Sequence, residues 1–233
     1  MLEIIYQDEH LIAINKPHGL LVHRSSIAQD ADETALQLLR DQIGMTVYPA
    51  HRLDRKTGGI LLFSLDKATD QKTQQMFQDK KMDKRYLALL RGFCPEEGTI
   101  DYPLTKANTN KTQEAITHYR RLAIAEIDVP QGKFNTSRYS LVEANPITGR
   151  THQLRRHFAH IMHPIIGDRP HGCNKQNKMW KEKFAMETML LHASALYFTH
   201  PWTNQSIAIK ADLQSEFKRS LDILGISISE VEI

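Results

Sequence analysis

The chain is predicted to be an α+β protein with a mixed, largely antiparallel β-sheet and flanking helices. Three observations predict it. Strand-like and helix-like segments alternate irregularly, and several strand pairs are joined by turns too short for a helical crossover. No repeat, low-complexity tract or linker interrupts them, so the 233 residues are expected to form a single domain over residues 1–233 with a sizeable core.

Leu2–Tyr6 and Leu11–Ile14, separated by the polar Gln7-Asp-Glu-His10, read as a hairpin. Lys16-Pro17-His18-Gly19 is a turn enforced by proline and glycine, followed by the short apolar Leu20–Val22. Asp32 can cap a helix over Glu33–Ile43, whose Leu36, Leu39 and Ile43 share a face and which ends before Gly44. A strand over Gly59–Leu65 follows, then a helix capped by Asp66 and running to about Lys80. Arg85–Leu90 reads as a strand, and the Asn-, Thr- and Lys-rich stretch 103–114 as a loop. Two long strands at 115–127 and 138–144 are linked by a turn holding Pro130 and Gly132. Thr151–Met162 has helical spacing, with Thr148 or Thr151 as its cap, and Pro164 and Gly167 close it. Leu190–Thr199 and Ile207–Lys210 read as strands turned at Asn204, and a last amphipathic helix, Leu213–Leu224, stops at Gly225.

Composition narrows the class. With 41 % hydrophobic and 24 % charged residues the chain is neither disordered nor fibrous. Its longest apolar run, Gly59–Leu65, is far short of the roughly 20 residues of a membrane span. Glu3, Asp8 and Glu9 stand where a secretory signal would be basic and apolar. Two cysteines, Cys94 and Cys173, make neither a disulfide framework nor a four-Cys zinc site, and a cytoplasmic protein is expected. Residues 51–200 hold 24 Lys and Arg against 15 Asp and Glu, while both ends are acidic. A basic middle fits either a polyanion-binding face or a solvated surface.

The densest polar segment is His51-Arg52-Leu53-Asp54-Arg55-Lys56-Thr57-Gly58-Gly59. Its cations favour the ionised carboxylate of Asp54, available as nucleophile or base, and the two glycines allow a sharp turn and close approach of a ligand. A surface turn with a solvated ion pair is the plainer alternative. In Gly149-Arg150-Thr151-His152-Gln153-Leu154-Arg155-Arg156-His157, helical spacing puts Thr151, Arg155 and Ala159 on one stripe and His152, Arg156 and His160 on the next. These cations suit phosphate or a buried carboxylate; a wet basic helix is the alternative. A metal site from His152, His157, His160, His163 and Cys173 is the other, opposed by the basic neighbours and the lack of a paired-ligand motif. Lys84-Arg85-Tyr86 opens a strand and says little alone.

Together these segments resemble the RluA-type pseudouridine synthases. HRLD-x-x-T-x-G around Asp54, the KRY segment at Tyr86 and GRTHQLR ending at Arg155 are similar to that family's signature motifs, and Leu191-His192-Ala193 to its last one, in the family's order from the Lys16-Pro17 turn to Pro201. One departure is Gly58, where the motif usually carries serine. The resemblance implies a pseudouridine synthase catalytic domain without a separate S4 RNA-binding domain. It implies an enzyme that needs no cofactor and no metal, acts as a monomer and takes RNA as partner, with tRNA favoured over ribosomal RNA and no membrane association. Asp54 would be the essential carboxylate, Tyr86 the group that takes the C5 proton, and Arg155 the partner of Asp54. Arg52 would fill the gap left by a flipped nucleotide. Arg55, Lys84, Arg150 and Arg156 would contact phosphates, with the 103–114 and 169–183 segments adding recognition. His51, Thr57, Gly59 and His192 would complete the motifs structurally. A non-catalytic RNA binder of the same fold and a metal-dependent hydrolase are the competing readings.

Overall fold

The first hairpin forms where the two apolar segments and the polar turn between them place it. β1 (Glu3–Gln7) and β2 (Leu11–Lys16) pair antiparallel, and the Asp8 carboxylate accepts from His10 N and Leu11 N, both at 2.7 Å, to close the turn. In this computed structural model the described residues are 1–23, 33–106 and 109–227. Helix α1 (Ala35–Ile43) starts two residues later than expected. Thr34 is its cap, its hydroxyl accepting from Gln37 N at 3.3 Å, and Asp32 lies outside the described residues. β3 (Tyr48–Pro49) is short; β4 (Gly58–Ser64) is buried throughout and pairs antiparallel with β2, Lys16 opposite Gly59. α2 (Lys67–Gln78) has the expected Asp66 cap, its carboxylate accepting from Thr69 N at 2.8 Å.

β5 (Asp83–Arg91), β6 (Glu97–Asp101), β7 (Leu104–Thr105), β8 (Thr112–Gln113), β9 (Ile116–Ile127) and β10 (Ser137–Pro146) follow. β10 lies between β5 and β9, and β6 pairs with β9, all antiparallel. β6 escapes sequence reading because only Ile100 in it is buried. The expected 103–114 loop contains the two-residue strands β7 and β8. α3 (Gln153–His160) is shorter than the predicted 151–162, and neither threonine caps it. Its N-cap is His152, at φ +55°, and the Gln153 side-chain oxygen accepts from Arg150 N and from the Thr148 hydroxyl instead. α4 (Asn174–Phe184) was not anticipated: it is mostly polar, anchoring chiefly through Met179, Trp180 and a buried Gln176 that accepts from Tyr139 Oη at 2.8 Å.

β11 (Leu191–Thr199) and β12 (Ser206–Lys210) pair antiparallel across the turn at Asn204, φ +56°. α5 (Ser215–Ile223) sits within the predicted 213–224. The chain divides into two compact units: one takes Met1–Lys84 and His192–Gln214, the other Arg85–Leu191 and the chain from Ser215 on. In the first, β2 is flanked by β1 and β4, and β4 is followed by β11. In the second the order is β5-β10-β9-β6, over a core that includes Ala88, Leu90, Val142, Leu154 and Phe158. Within the units the described pairings are antiparallel except β4 with β11, which makes an α+β fold as predicted.

Candidate active site

In the first unit, Asp54 sits on the half-buried loop that leads into β4. Asp54 O accepts from Thr57 N at 3.0 Å, which closes the turn. The next residue ties the loop to the Lys16–Leu20 turn: Arg55 O accepts from Gly19 N at 2.9 Å, and Arg55 Nε donates to Gly19 O at 3.0 Å. Beneath them Lys16 is fully buried, and its ammonium donates to Pro17 O, Leu20 O and Arg55 O at 3.0, 2.9 and 3.3 Å. Burial drives that ammonium down to about 7, against the pull of the Asp54 carboxylate, which favours its charged form. A buried cation thus anchors the loop and places positive potential at the carboxylate.

The motif residues around Asp54 build the framework. His51 Nε2 accepts from Leu62 N at 3.1 Å, so the ring is a neutral acceptor; burial, then the Lys84 charge, pushes it down to about 4. Thr57 is buried. Gly59, at φ +100°, lies opposite Ala193, and a Cβ there would come within 2.2 Å of Ala193 O, so only glycine fits. His192, opposite Gly58, is buried, and its Nε2 donates to Ala211 O at 3.3 Å.

The second unit holds Tyr86 and Arg155. Tyr86 lies opposite Ala144 on β5 and packs, partly buried, on the core that contains Leu154 and Phe158 of α3. Between these two core residues on the helix stands Arg155. Its side chain is 6 % exposed and forms a two-pronged pair with Asp168, Nε to Oδ2 and Nη2 to Oδ1, each 2.8 Å. Asp168 is 1 % exposed, and its Oδ1 also accepts from His171 N at 3.4 Å. Asn177 on α4 clamps the same turn, donating to Asp168 O and accepting from Gly167 N.

The predicted RNA contacts divide by environment. Arg52 and Arg55 are exposed on the Asp54 loop. Lys84 is half-buried and lowered by burial to about 8. Arg150 donates to Glu114 O at 2.9 Å and Arg156 to Thr105 O at 2.9 Å, so each is tied to the backbone at one end of the 103–114 stretch. The histidines weighed as metal ligands turn to separate partners. His157 bonds the Thr117 hydroxyl and Tyr102 O, His160 stacks on Tyr102, His163 bonds Arg91 O and His152 contacts His171. Among the described residues no three His, Cys, Asp or Glu side chains gather as a metal site.

Sequence reading missed Lys16, Asp168 and Gln214. Lys16 was visible only as part of a turn, since a lysine is read as surface by default. Asp168 stands in a Gly-Asp-Arg-Pro turn without periodicity. Gln214 donates to Lys16 O at 2.6 Å and accepts from His18 N at 2.9 Å, from an exposed-looking helix start.

Comparison with known proteins bears on this arrangement. Residues 10–160 match the RNA pseudouridylate synthase family. The tRNA pseudouridine synthase C of Vibrio cholerae is 45 % identical over 235 residues, covering 97 % of this chain and 96 % of its own. That of Salmonella typhimurium is 46 % identical over 235 residues, covering 97 % and 90 %. Among solved structures, Human RNA Pseudouridylate Synthase Domain Containing 4 superposes with a TM-score of 0.73 at 25 % identity, covering 97 % of this chain and 94 % of that one. Human RNA Pseudouridylate Synthase Domain Containing 1 shares the fold, with a TM-score of 0.73 at 22 % identity over 97 % and 96 %. A fold of this architecture, the three motifs in order and near full-length identity agree: the chain belongs to the RNA pseudouridylate synthase family, enzymes that isomerise uridine in RNA to pseudouridine.

Proposed function

We propose that this protein converts one uridine of tRNA to pseudouridine, in the acceptor–T-stem region at uridine 65, with Asp54 as the essential carboxylate. The observation that carries the substrate class is identity of about 45 % over nearly the whole chain to proteins named tRNA pseudouridine synthase C. The position within the tRNA rests on the resemblance of the sequence alone.

The reaction breaks the bond from ribose C1′ to uracil N1, turns the base and rejoins it to C1′ through C5. The C5 proton then leaves, and N1 gains one, so atoms and charge balance without an oxidant or a group donor. Asp54 serves as nucleophile or base. Tyr86, whose ring can stack on a pyrimidine, takes the C5 proton on its hydroxyl oxygen as its own hydroxyl proton passes to water, and Arg155 is the cation that pairs with the carboxylate. A base in a stem must first leave the stack, at a cost of a few kcal/mol. Arg52, exposed beside Asp54, supports the gap with its planar guanidinium. The buried Lys16 beneath the loop supports the role of Asp54, since an anion that reacts needs a rigid backbone and local positive potential.

The test is a tRNA transcript incubated with purified protein alone, wild type beside Asp54→Asn, with pseudouridine mapped chemically. Wild type is expected to modify one uridine of the acceptor–T-stem region. Asp54→Asn is expected to lose turnover by at least about a thousandfold, as when a group at the reacting centre is removed, while RNA affinity stays. Modification of ribosomal RNA but not tRNA would refute the substrate and leave the enzyme class standing. Retained turnover in Asp54→Asn would refute the site.

A further inference from the structure

Gly58 stands where the resemblance leads one to expect serine, and the space a side chain would need there is already filled. A Cβ at Gly58 would lie 2.7 Å from Gln214 Nε2 and 3.0 Å from both Cδ and Oε1, so the Gln214 amide lies flat against the bare glycine. Both ends of that amide are used. Nε2 donates to Lys16 O at 2.6 Å and Oε1 accepts from His18 N at 2.9 Å, which grips the backbone on either side of Pro17. The gripped turn is the one that holds the Asp54 loop: Gly19 N and the Lys16 ammonium both donate to Arg55 O, and Arg55 Nε returns a bond to Gly19 O. The segment that carries Gln214 is itself fixed to β2, since Asn15 Nδ2 donates to Asp212 O at 3.0 Å. All these residues belong to one unit.

We propose that Gln214 is a positioning residue for turnover: its amide takes the place of a side chain at position 58, locks the Lys16–Gly19 turn and through it sets the backbone of Asp54. This rests on the reading of Asp54 as the reacting carboxylate. The physical reason is geometric. A serine at 58 could place one hydroxyl near the turn, whereas an amide offers a donor and an acceptor in one plane, matched to a carbonyl and an N–H two residues apart. Loss of that grip frees the turn without unfolding the strands, and a shift of about 1 Å in a reacting group can cost on the order of a hundredfold in rate. Gly58 and Gln214 are therefore one device.

The experiment is a double-mutant cycle on Gly58→Ser and Gln214→Ala, read as kcat and KM on the substrate RNA, with hydrogen exchange of the free proteins. Gln214→Ala is expected to lower kcat by about 10- to 100-fold with KM changed less than about threefold. Gly58→Ser should do the same, because its Cβ expels the amide. The double variant should be no slower than either single, since residues in contact are coupled. Gln214→Glu, equal in shape but with an acceptor facing Lys16 O, should behave like the alanine variant. In exchange, His18 and Gly19 amides should open faster in each variant while β2 and β4 amides keep their protection. Four results would overturn the proposal: kcat of Gln214→Ala within twofold of wild type, losses that multiply in the double variant, wild-type turnover in Gln214→Glu, or unchanged exchange at His18 and Gly19. Failure of wild type on tRNA would refute the proposed substrate instead; the exchange arm, which needs no RNA, decides the grip either way.

Discussion

Arg155 and Asp168 meet through two parallel 2.8 Å bonds, with their side chains 6 % and 1 % exposed. A pair this dry is costly to assemble and costlier to break from one side, because the remaining charge keeps its desolvation and loses two charge-assisted bonds. Asp168 thereby sets the orientation of an arginine that the family resemblance assigns to catalysis.

Asp168→Asn should destabilise the protein by about 3–5 kcal/mol, since it removes one charge of a buried pair. The urea midpoint is the measurement, with the slope checked for two-state behaviour. A midpoint within error of wild type would mean that other groups balance Arg155.

Tyr86→Phe removes a hydroxyl and keeps the ring that packs on the Leu154 and Phe158 core. Stability should change by less than about 1 kcal/mol, because no buried volume is lost. Turnover should fall by about a hundredfold or more, the usual worth of a positioned proton acceptor. Release of label from uridine tritiated at C5 reads this step directly; release at the wild-type rate would remove Tyr86 from the mechanism.

Stability should fall as pH drops from about 6.5 towards 4. Unfolded imidazoles take a proton near 6.5. Folded His18 and His51 resist to about 4, mainly because burial penalises the charged ring. Across that window the unfolded chain binds more protons, so stability rises with pH. Burial lowers His157 too, which adds in the same direction. Lys16 extends the trend upward, from about 7 towards its ordinary 10.5, for the same reason. Urea midpoints across these ranges test it, and His51→Gln should flatten part of the acid slope. A flat profile would show that these rings are solvated.

Arg52→Lys should slow a stem substrate more than an isolated single strand, since only the stem leaves a gap for a planar cation to fill. Turnover on matched RNAs is the comparison. Equal slowing of both would exclude a role in base flipping and leave Arg52 as a phosphate contact.

Much of the fold is legible in local pattern. Apolar segments bounded by polar or proline–glycine turns mark β1, β2, β9 and β10, and Asp66 and Gly44 mark helix ends, because such signals act over a few residues. α4 and β6 are not legible. Each buries little of its own surface and is held by contacts such as Gln176 with Tyr139 or the pairing of β6 with β9. The α1 cap is Thr34, and α3 has no side-chain cap at all: Gln153, at its first turn, accepts instead from Arg150 N and the Thr148 hydroxyl that precede the helix.

What the amino-acid order determined unaided was the chemistry on offer: an aspartate among cations, a tyrosine opening a strand, an arginine on a helix, and glycines behind the aspartate. Tertiary structure alone decided which groups hold them. Gln214 reaches Lys16 across 198 positions, Arg155 meets Asp168 13 residues on, and a lysine is sunk under a loop with three carbonyls around its charge. Periodicity reports which face of an element is dry. Partners are chosen by the need to satisfy every donor and charge that packing removes from water, and that need exists only once the elements have come together.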